Sequence, residues 1–146
     1  MKKYLFLLFV SFFLTSYSLS AQCDCSLYVD IENLNIEGFN TLKNHKARWK
    51  KDIKKIIYYT LSLEKNKKYT FRIYNKKGKL IDNVKVVFMN TKREVLLKNI
   101  DSLGKIMTEF VFCPSKEGLH YMDVSLITPE TDYCSCAYIV MFVQKE

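Results

Sequence analysis

Four cysteines near the two ends of the chain are the residues whose spacing most suggests chemistry. Cys23 and Cys25 are separated by one residue, and so are Cys134 and Cys136. Two such pairs could hold zinc through four thiolates, act as a redox-active dithiol, or form structural disulfides. Zinc sites usually place two to four residues between paired cysteines. The spacing therefore favours disulfides, and we predict no metal site and no cofactor.

The two cysteine pairs predict a covalent link between the ends of the chain. We expect at least one bridge from the first pair to the second, with the connectivity left open. A bridge between Cys113 and Cys136 is disfavoured. Cys113 ends one strand and Cys136 begins another, and the strand over residues 119–126 is expected to run between them and to place them roughly 20 Å apart. A disulfide needs Cα atoms within about 7 Å. Cys113 is therefore expected to be the spare thiol, buried beside Val111.

A nucleophilic pair of Cys113 and His120 is the remaining catalytic arrangement. Such a pair needs the thiol and the imidazole within hydrogen-bond reach of each other. The chain has two histidines, and its sequence contains no Gly-rich phosphate loop, no metal-type pair of histidines and no helical pair of carboxylates. We predict that the protein is not an enzyme.

The first 21 residues have the order of a secretory signal peptide. Two lysines precede an apolar run over residues 4–14, and small residues lead to a cleavage pattern that ends at Ala21. The run is shorter than the roughly 20 residues that a bilayer span needs, so we expect cleavage and no transmembrane span afterwards. Lipidation of Cys23 is an alternative that Gln22 disfavours, because a small residue normally precedes a lipidated cysteine.

Export limits the partners that the remaining domain, residues 22–146, can meet. The protein would be periplasmic, cell-surface or extracellular, where an oxidising environment favours disulfides. The chain carries 23 lysines and arginines and a formal charge of +8. Nucleic acid is a poor partner for an exported protein. The excess of lysine is interpreted as a solvated surface, with contact to an anionic polysaccharide or lipid surface as the alternative.

Alternation of apolar and polar residues predicts an all-β domain. Side chains in a strand point alternately to opposite faces, and eight segments fit this pattern or are continuously apolar. Their number and spacing are typical of a jelly-roll-like antiparallel β-sandwich. The predicted strands are residues 26–33, 57–63, 69–74, 83–89, 94–98, 110–113, 119–126 and 136–143.

Strand pairing and the core are predicted from the same pattern. Residues 57–74 and residues 110–126 each read as strand, turn and strand, and the second turn contains Pro114 and Gly118. Segment 136–143 is apolar on both faces, so it should lie in the middle of a sheet or under a cover. The residues expected in the core are Tyr69, Phe71, Phe110, Phe112, Val124 and Val140.

Residues 40–55 have apolar residues at helical spacing. Leu42, Trp49 and Ile53 recur along one side, and basic residues occupy many other positions. We predict a short basic helix after the first strand, with a loop as the alternative. The helix would cap an open end of the sandwich or dock on an anionic surface. The lysines that would make an anionic contact are Lys46, Lys50, Lys51, Lys54 and Lys55.

Two segments together resemble bacterial pre-peptidase C-terminal-type domains. They are residues 61–73 (LSLEKNKKYTFRI) and residues 110–121 (FVFCPSKEGLHY), which resemble the early and late strand–turn–strand units of those domains. The resemblance implies a jelly-roll-like β-sandwich from a secreted bacterial protein, without catalytic activity of its own. The chain lacks the Asp-rich loops that such domains often carry, and this weakens the transfer of calcium or carbohydrate binding from them.

These observations favour a small, exported, non-catalytic binding module of the bacterial cell envelope. Its partner would be a protein or a glycan. The alternatives are a structural or assembly subunit of a surface complex, a lipoprotein, and a thiol-dependent enzyme. Aromatic residues aligned on an exposed sheet face would favour a glycan, and an unpaired apolar edge strand would favour assembly.

Overall fold

The computed structural model describes residues 24–26, 36–50, 55–128 and 134–145 of the 146-residue chain. In this part of the chain all regular structure is β, and no helix is long and apolar enough to cross a membrane. The strands are β1 (Phe39–Lys50), β2 (Ile57–Leu63), β3 (Tyr69–Tyr74), β4 (Val84–Met89), β5 (Val95–Lys98), β6 (Glu109–Phe112), β7 (Gly118–Leu126) and β8 (Cys134–Gln144).

The strands form two four-stranded antiparallel sheets. The first sheet has the order β1-β8-β3-β6, and the second has the order β2-β7-β4-β5. Every connection except the β4–β5 hairpin crosses from one sheet to the other, as expected of a jelly-roll-like sandwich. The predicted antiparallel β-sandwich is confirmed.

The predicted basic helix is wrong, because residues 40–50 belong to strand β1. Side chains on β1 alternate in burial: Ala47 and Trp49 enter the core, whereas Lys46 and Lys50 are exposed. The indole nitrogen of Trp49 donates a hydrogen bond to the carbonyl of Lys55, 2.8 Å away. β1 pairs with β8 along its length, and this distant partner overrides the local helical spacing of the apolar residues.

The first predicted strand, residues 26–33, lies outside the described residues except for Ser26, which is not in a strand. Strand β1 therefore takes the place of the first strand among the eight. The predicted signal peptide, residues 1–21, also lies outside the described part of the chain and stays a prediction.

The two predicted strand–turn–strand units are not hairpins. β2 lies in the second sheet and β3 in the first, and β6 and β7 are divided in the same way. The two connections lie side by side, because the amide of Asn66 donates to the carbonyl of Pro114 at 2.9 Å. Local alternation shows which face of a strand is apolar, but it does not show which strand lies beside it.

The space between the sheets is filled mainly by aromatic and branched side chains. Phe71 stacks on Phe110 with 5.3 Å between ring centroids, and Phe88 packs against both rings. Each large apolar side chain buried in this way contributes about 1.5–3 kcal/mol to stability. Five of the six expected core residues belong to this cluster: Tyr69, Phe71, Phe110, Phe112 and Val124.

The sixth expected core residue, Val140, is buried on the opposite face of the first sheet. There it belongs to a second apolar cluster with Tyr138, Phe142 and Cys25. β8 lies between β1 and β3, and residues on both of its faces are buried. The prediction that segment 136–143 occupies a covered position in the middle of a sheet is confirmed.

Candidate functional site

Cys25 lies close to Cys134 and Cys136 on the outer face of the first sheet. Cys25 and Cys136 form a disulfide with 5.8 Å between their Cα atoms, across a sequence separation of 111 residues. Cys134 is also in a disulfide, and Cys23 lies outside the described residues. The bridge between Cys25 and Cys136 is one of the pairings that the sequence allows between the two cysteine pairs.

Cys113 is a free thiol, but it is exposed rather than buried, as is Val111. Cys113 directly follows β6. The last residue of β6, Phe112, pairs with Tyr69 at the start of β3, and Tyr69 pairs on its other side with Val143 near the end of β8. Cys136 lies at the other end of β8. The two cysteines are thus far apart because β8 itself runs between their levels, whereas the sequence argument had assigned this role to the strand after Gly118.

The structure does not bring Cys113 and His120 together as a nucleophilic pair. His120 is buried, and its Nδ1 donates a hydrogen bond to the carbonyl of Gly118 at 3.0 Å. Its ring packs edge-on against Phe112. No hydrogen bond joins the two residues in the described structure, so the geometry offers no activated thiol here.

The lysines expected to contact an anionic surface are on a strand rather than a helix. Lys46 and Lys50 project outward from β1, Lys55 is exposed after it, and Lys51 and Lys54 lie outside the described residues. Strand β1 is an edge of its sheet, and charged residues on an edge discourage the addition of another strand. This structural role explains Lys46 and Lys50, and an anionic contact stays a prediction.

A cluster that the sequence analysis missed lies on the outer face of the second sheet. We call it the tyrosine–arginine face, and it consists of Tyr58, Arg93, Tyr121 and Asp123. The guanidinium carbon of Arg93 is 4.1 Å from the ring centroid of Tyr121 and 5.9 Å from that of Tyr58. Its Nη1 is 3.7 Å from Oδ1 of Asp123, which makes an ion pair. The strand register places Tyr58 directly opposite Asp123.

One carboxylate oxygen of Asp123 has no hydrogen-bond partner within this face. Its Oδ1 is shielded from solvent and accepts no hydrogen bond, because Arg93 is too distant to donate one. Burial raises the pKa of Asp123, and the charge of Arg93 opposes that rise.

Arg93 is positioned by a turn that occurs three times in the structure. Each turn begins with Asn or Asp, whose side-chain oxygen accepts amide hydrogen bonds from the residues two and four positions later. The carbonyl of the same residue accepts from the residue three positions later. The three turns begin at Asn75, Asn90 and Asp101.

The fourth residue of each turn has a positive φ, and this is where Arg93 differs. Gly78 and Gly104 hold this position in the other two turns, with φ of 73° and 82°, whereas Arg93 has φ of 64°. An L-residue in this conformation costs roughly 1–2 kcal/mol. Asn66 is the other non-glycine residue with positive φ among the described residues, and asparagine tolerates it well. Arg93 therefore occupies a glycine position at a cost in backbone strain.

We expect the substitution Arg93→Gly to leave the free energy of unfolding within about 1 kcal/mol of the wild-type value. Relief of the backbone strain, roughly 1–2 kcal/mol, offsets the lost contact with Tyr121, which is about 0.5–1 kcal/mol at an exposed site. Urea unfolding measures the change.

The matched control is Gly104→Arg in the sister turn. No atom lies within 4 Å of a Cβ built at Gly104, so backbone strain is the main cost. We expect a loss of roughly 1–2 kcal/mol. Equal losses from the two substitutions would contradict the argument that the position of Arg93 favours glycine.

His45 is a buried titratable group away from the tyrosine–arginine face. It lies on the inner side of β1, edge-on to the ring of Tyr59 at 4.8 Å, and its Nε2 has no hydrogen-bond partner. Burial lowers the pKa of His45 to about 4, with a further contribution from Lys43. Burial also raises the pKa of Tyr59 to about 12. The imidazole is therefore neutral in the folded protein at neutral pH.

This shift predicts a loss of stability in acid. Below pH 6.5 His45 is protonated in the unfolded chain, whereas in the folded chain it stays neutral until the pH falls to about 4. Stability from this group is complete above pH 6.5 and falls by about 2–3 kcal/mol as the pH drops to 4. Urea unfolding at pH 7 and pH 4 should show a smaller loss for His45→Phe than for the wild type. Equal losses would show that His45 is not the cause.

The structure has a groove with acidic lining residues, two of which already make structural contacts. It is lined in part by Asp82, Asp101, Lys105 and Glu109. Glu109 forms an ion pair with Arg72, and the carboxylate of Asp101 accepts two amide hydrogen bonds in its turn. The groove therefore offers fewer open groups than the tyrosine–arginine face.

Comparison with known proteins bears on the fold. No protein-family model and no curated protein sequence matches the chain. A solved structure that is similar to it is the crystal structure of Aeromonas hydrophila PliG, a periplasmic lysozyme inhibitor of g-type lysozyme. The identity is 13%, the TM-score is 0.50, and the match covers 76% of this chain and 92% of PliG. At this identity the likeness shows a shared fold. The resemblance to pre-peptidase C-terminal-type domains stays a prediction.

Proposed function

We propose that this chain is an exported, non-catalytic protein-binding module of the bacterial cell envelope, and that its partner binds to the tyrosine–arginine face. The observation that carries the proposal is Arg93, which stands in a glycine position and lies over Tyr121. Strain at a position that does not need it for folding is typical of functional sites. Arginine and tyrosine are also the residue types that are enriched among binding hot spots.

The same geometry favours a protein over a glycan. A sugar ring stacks on an open aromatic face, and Arg93 covers the ring of Tyr121 from 4.1 Å. Tyr58, with 61% of its surface exposed, is then the one open ring of the face. A single open ring beside an arginine and an unsatisfied carboxylate suits the mixed polar and aromatic surface of a protein partner.

Charge indicates the kind of protein surface that would bind. Lys85 and Lys98 extend from the same outer face as Arg93, on the neighbouring strands β4 and β5. Together with the excess of basic over acidic residues in the chain, they favour a partner that presents acidic residues. The likeness in fold to PliG supports the proposal, because PliG is a periplasmic inhibitor of another protein.

Assembly through an edge strand is a weaker reading of the structure. β5 is an edge strand with exposed apolar residues, Val95 and Leu96. It is only four residues long, and short edge strands are one of the devices that prevent strand addition.

Site-specific photo-crosslinking tests the proposed function. A photoreactive amino acid at Tyr58 should capture one protein in intact cells, whereas the same amino acid at Lys46, on the other sheet, should not. Binding of the captured protein to the purified chain is then measured by calorimetry. We expect Arg93→Gly to weaken it at least tenfold and Thr91→Ala, in the same turn, to leave it unchanged. Equal capture from both positions, or unchanged binding by Arg93→Gly, would contradict the proposal.

A g-type lysozyme is the first protein to test directly, because PliG inhibits one. Clearing of a cell-wall suspension by the enzyme is followed with and without the chain. Inhibition that is lost in Arg93→Gly would identify the partner, and full clearing at micromolar chain would exclude that lysozyme as the partner.

A further inference from the structure

Three sulfur atoms of the disulfide cluster are close enough together to share one metal ion. The Sγ atoms of Cys25, Cys134 and Cys136 lie within 4.8 Å of one another, and those of Cys25 and Cys136 are joined by the disulfide. Those of Cys134 and Cys136, which are not bonded to each other, are 3.8 Å apart. In a tetrahedral centre with zinc–sulfur bonds of about 2.3 Å, neighbouring sulfurs are also about 3.8 Å apart. The pair from β8 thus has the spacing of one edge of a zinc–thiolate site.

Strand geometry explains how a single intervening residue can produce this spacing. Alternate residues of a strand point to the same face, so Cys134 and Cys136 both reach the side of β8 where Cys25 lies. Spacings of two to four residues are typical of zinc sites built on loops that turn around the ion. A single intervening residue therefore does not exclude zinc binding by a cysteine pair on a strand.

The surroundings of the sulfurs also suit a metal site. Cys25 and Cys136 are buried in the second apolar cluster, beside Tyr138 and Val140, and Cys134 is half-buried at its rim. An apolar shell limits the access of water to a metal and its ligands. Cys113, the free thiol, is exposed elsewhere and lies outside this group.

We propose that the reduced chain binds one zinc ion through the thiolates of Cys25, Cys134 and Cys136, and that the disulfide form is its oxidised, metal-free state. A dithiol reductant supplies two electrons to each disulfide, and the two sulfurs released take up two protons. Zinc then replaces one proton on each thiol that it binds. Water completes the tetrahedron. Zinc would hold the two chain ends together until the disulfides form.

Cobalt binding tests the site, since tetrahedral cobalt thiolates are coloured. The full chain is reduced, freed of reductant without oxygen, and titrated with Co²⁺ and then with Zn²⁺. We expect a sulfur-to-cobalt absorption band that saturates at one equivalent and is abolished by Zn²⁺. Cys134→Ser should weaken cobalt binding at least tenfold. Cys113→Ser, the matched control, should bind as the wild type does.

Emission from Trp49 shows whether the ion binds to the folded chain. It is the single tryptophan, and its side chain is buried between the sheets on β1, beside β8. We expect Zn²⁺ to raise the urea midpoint of the reduced protein in this signal, because a ligand of the folded state stabilises it. An unfolded chain would recruit Cys113 as readily as the other cysteines. The absence of a thiolate band, unchanged binding by Cys134→Ser, or weaker binding by Cys113→Ser would overturn the proposal.

Discussion

Reduction of the disulfides should lower the free energy of unfolding by about 4–5 kcal/mol. The bridge between Cys25 and Cys136 spans 111 residues, and a cross-link of that length removes much of the conformational entropy of the unfolded chain. Urea unfolding with and without a dithiol reductant, both in the presence of a chelator, measures the difference. Cys113→Ser should show the same difference, because Cys113 is a free thiol.

The place of the disulfide gives this prediction a second readout. Cys25 packs in the second apolar cluster, and the hydroxyl of Tyr138 donates a hydrogen bond to its carbonyl. Loss of the bond should loosen Cys25 from this cluster and increase binding of a fluorescent apolar dye below the unfolding midpoint. A change in free energy below about 1 kcal/mol, with no increase in dye binding, would show that the disulfide does not stabilise this face.

Replacement of Asn99 by alanine should cost about 3–5 kcal/mol. Asn99 is fully buried, and its Oδ1 accepts the amide hydrogen of Val86 at 2.7 Å. Its Nδ2 donates to the carbonyls of Val84 and Met107 at 2.9 and 3.0 Å. Alanine would leave these three backbone groups buried without partners, and each unsatisfied group costs about 1–3 kcal/mol. Thermal or urea unfolding measures the loss.

Two further substitutions separate this effect from a general sensitivity to change. Asn99→Asp keeps the shape but faces two carbonyl oxygens with a carboxylate, so it should destabilise at least as much as Asn99→Ala. Asn75→Ala removes two hydrogen bonds in an exposed turn, where water replaces them, and should cost about 1 kcal/mol or less. Similar losses from Asn75→Ala and Asn99→Ala would contradict the importance that we assign to the buried amide.

Only part of the candidate site could be predicted from the sequence. The runs NKKGK, NTKRE and DSLGK begin at Asn75, Asn90 and Asp101, and each forms the same turn. Comparison of the three runs shows Arg93 where the other two have glycine, so the sequence contained a signal for this residue. The position of Tyr58 and Tyr121 beneath it depends on which strands pair, and β2 and β7 are about 60 residues apart in the chain.

The positions of most strands and their apolar faces could be predicted from local patterns along the chain. Tyr69, Phe71 and Ile73 alternate with the polar residues Thr70 and Arg72, and alternation follows from backbone geometry within a single strand. The same local rule made the continuously apolar run in β8 recognisable as a covered strand.

Which strands are neighbours depends on long-range pairing, which no local pattern contains. Residues 40–50 became a strand because β8 supplies their hydrogen-bond partners, although Leu42 and Trp49 have helical spacing. Strands joined by short turns lie in different sheets, because each of them pairs with strands that are distant in the chain. The aromatic faces of the two sheets then pack against each other. Contacts between residues far apart in the chain carry no local signal, and they placed Arg93 over Tyr121 and Cys25 against Cys136.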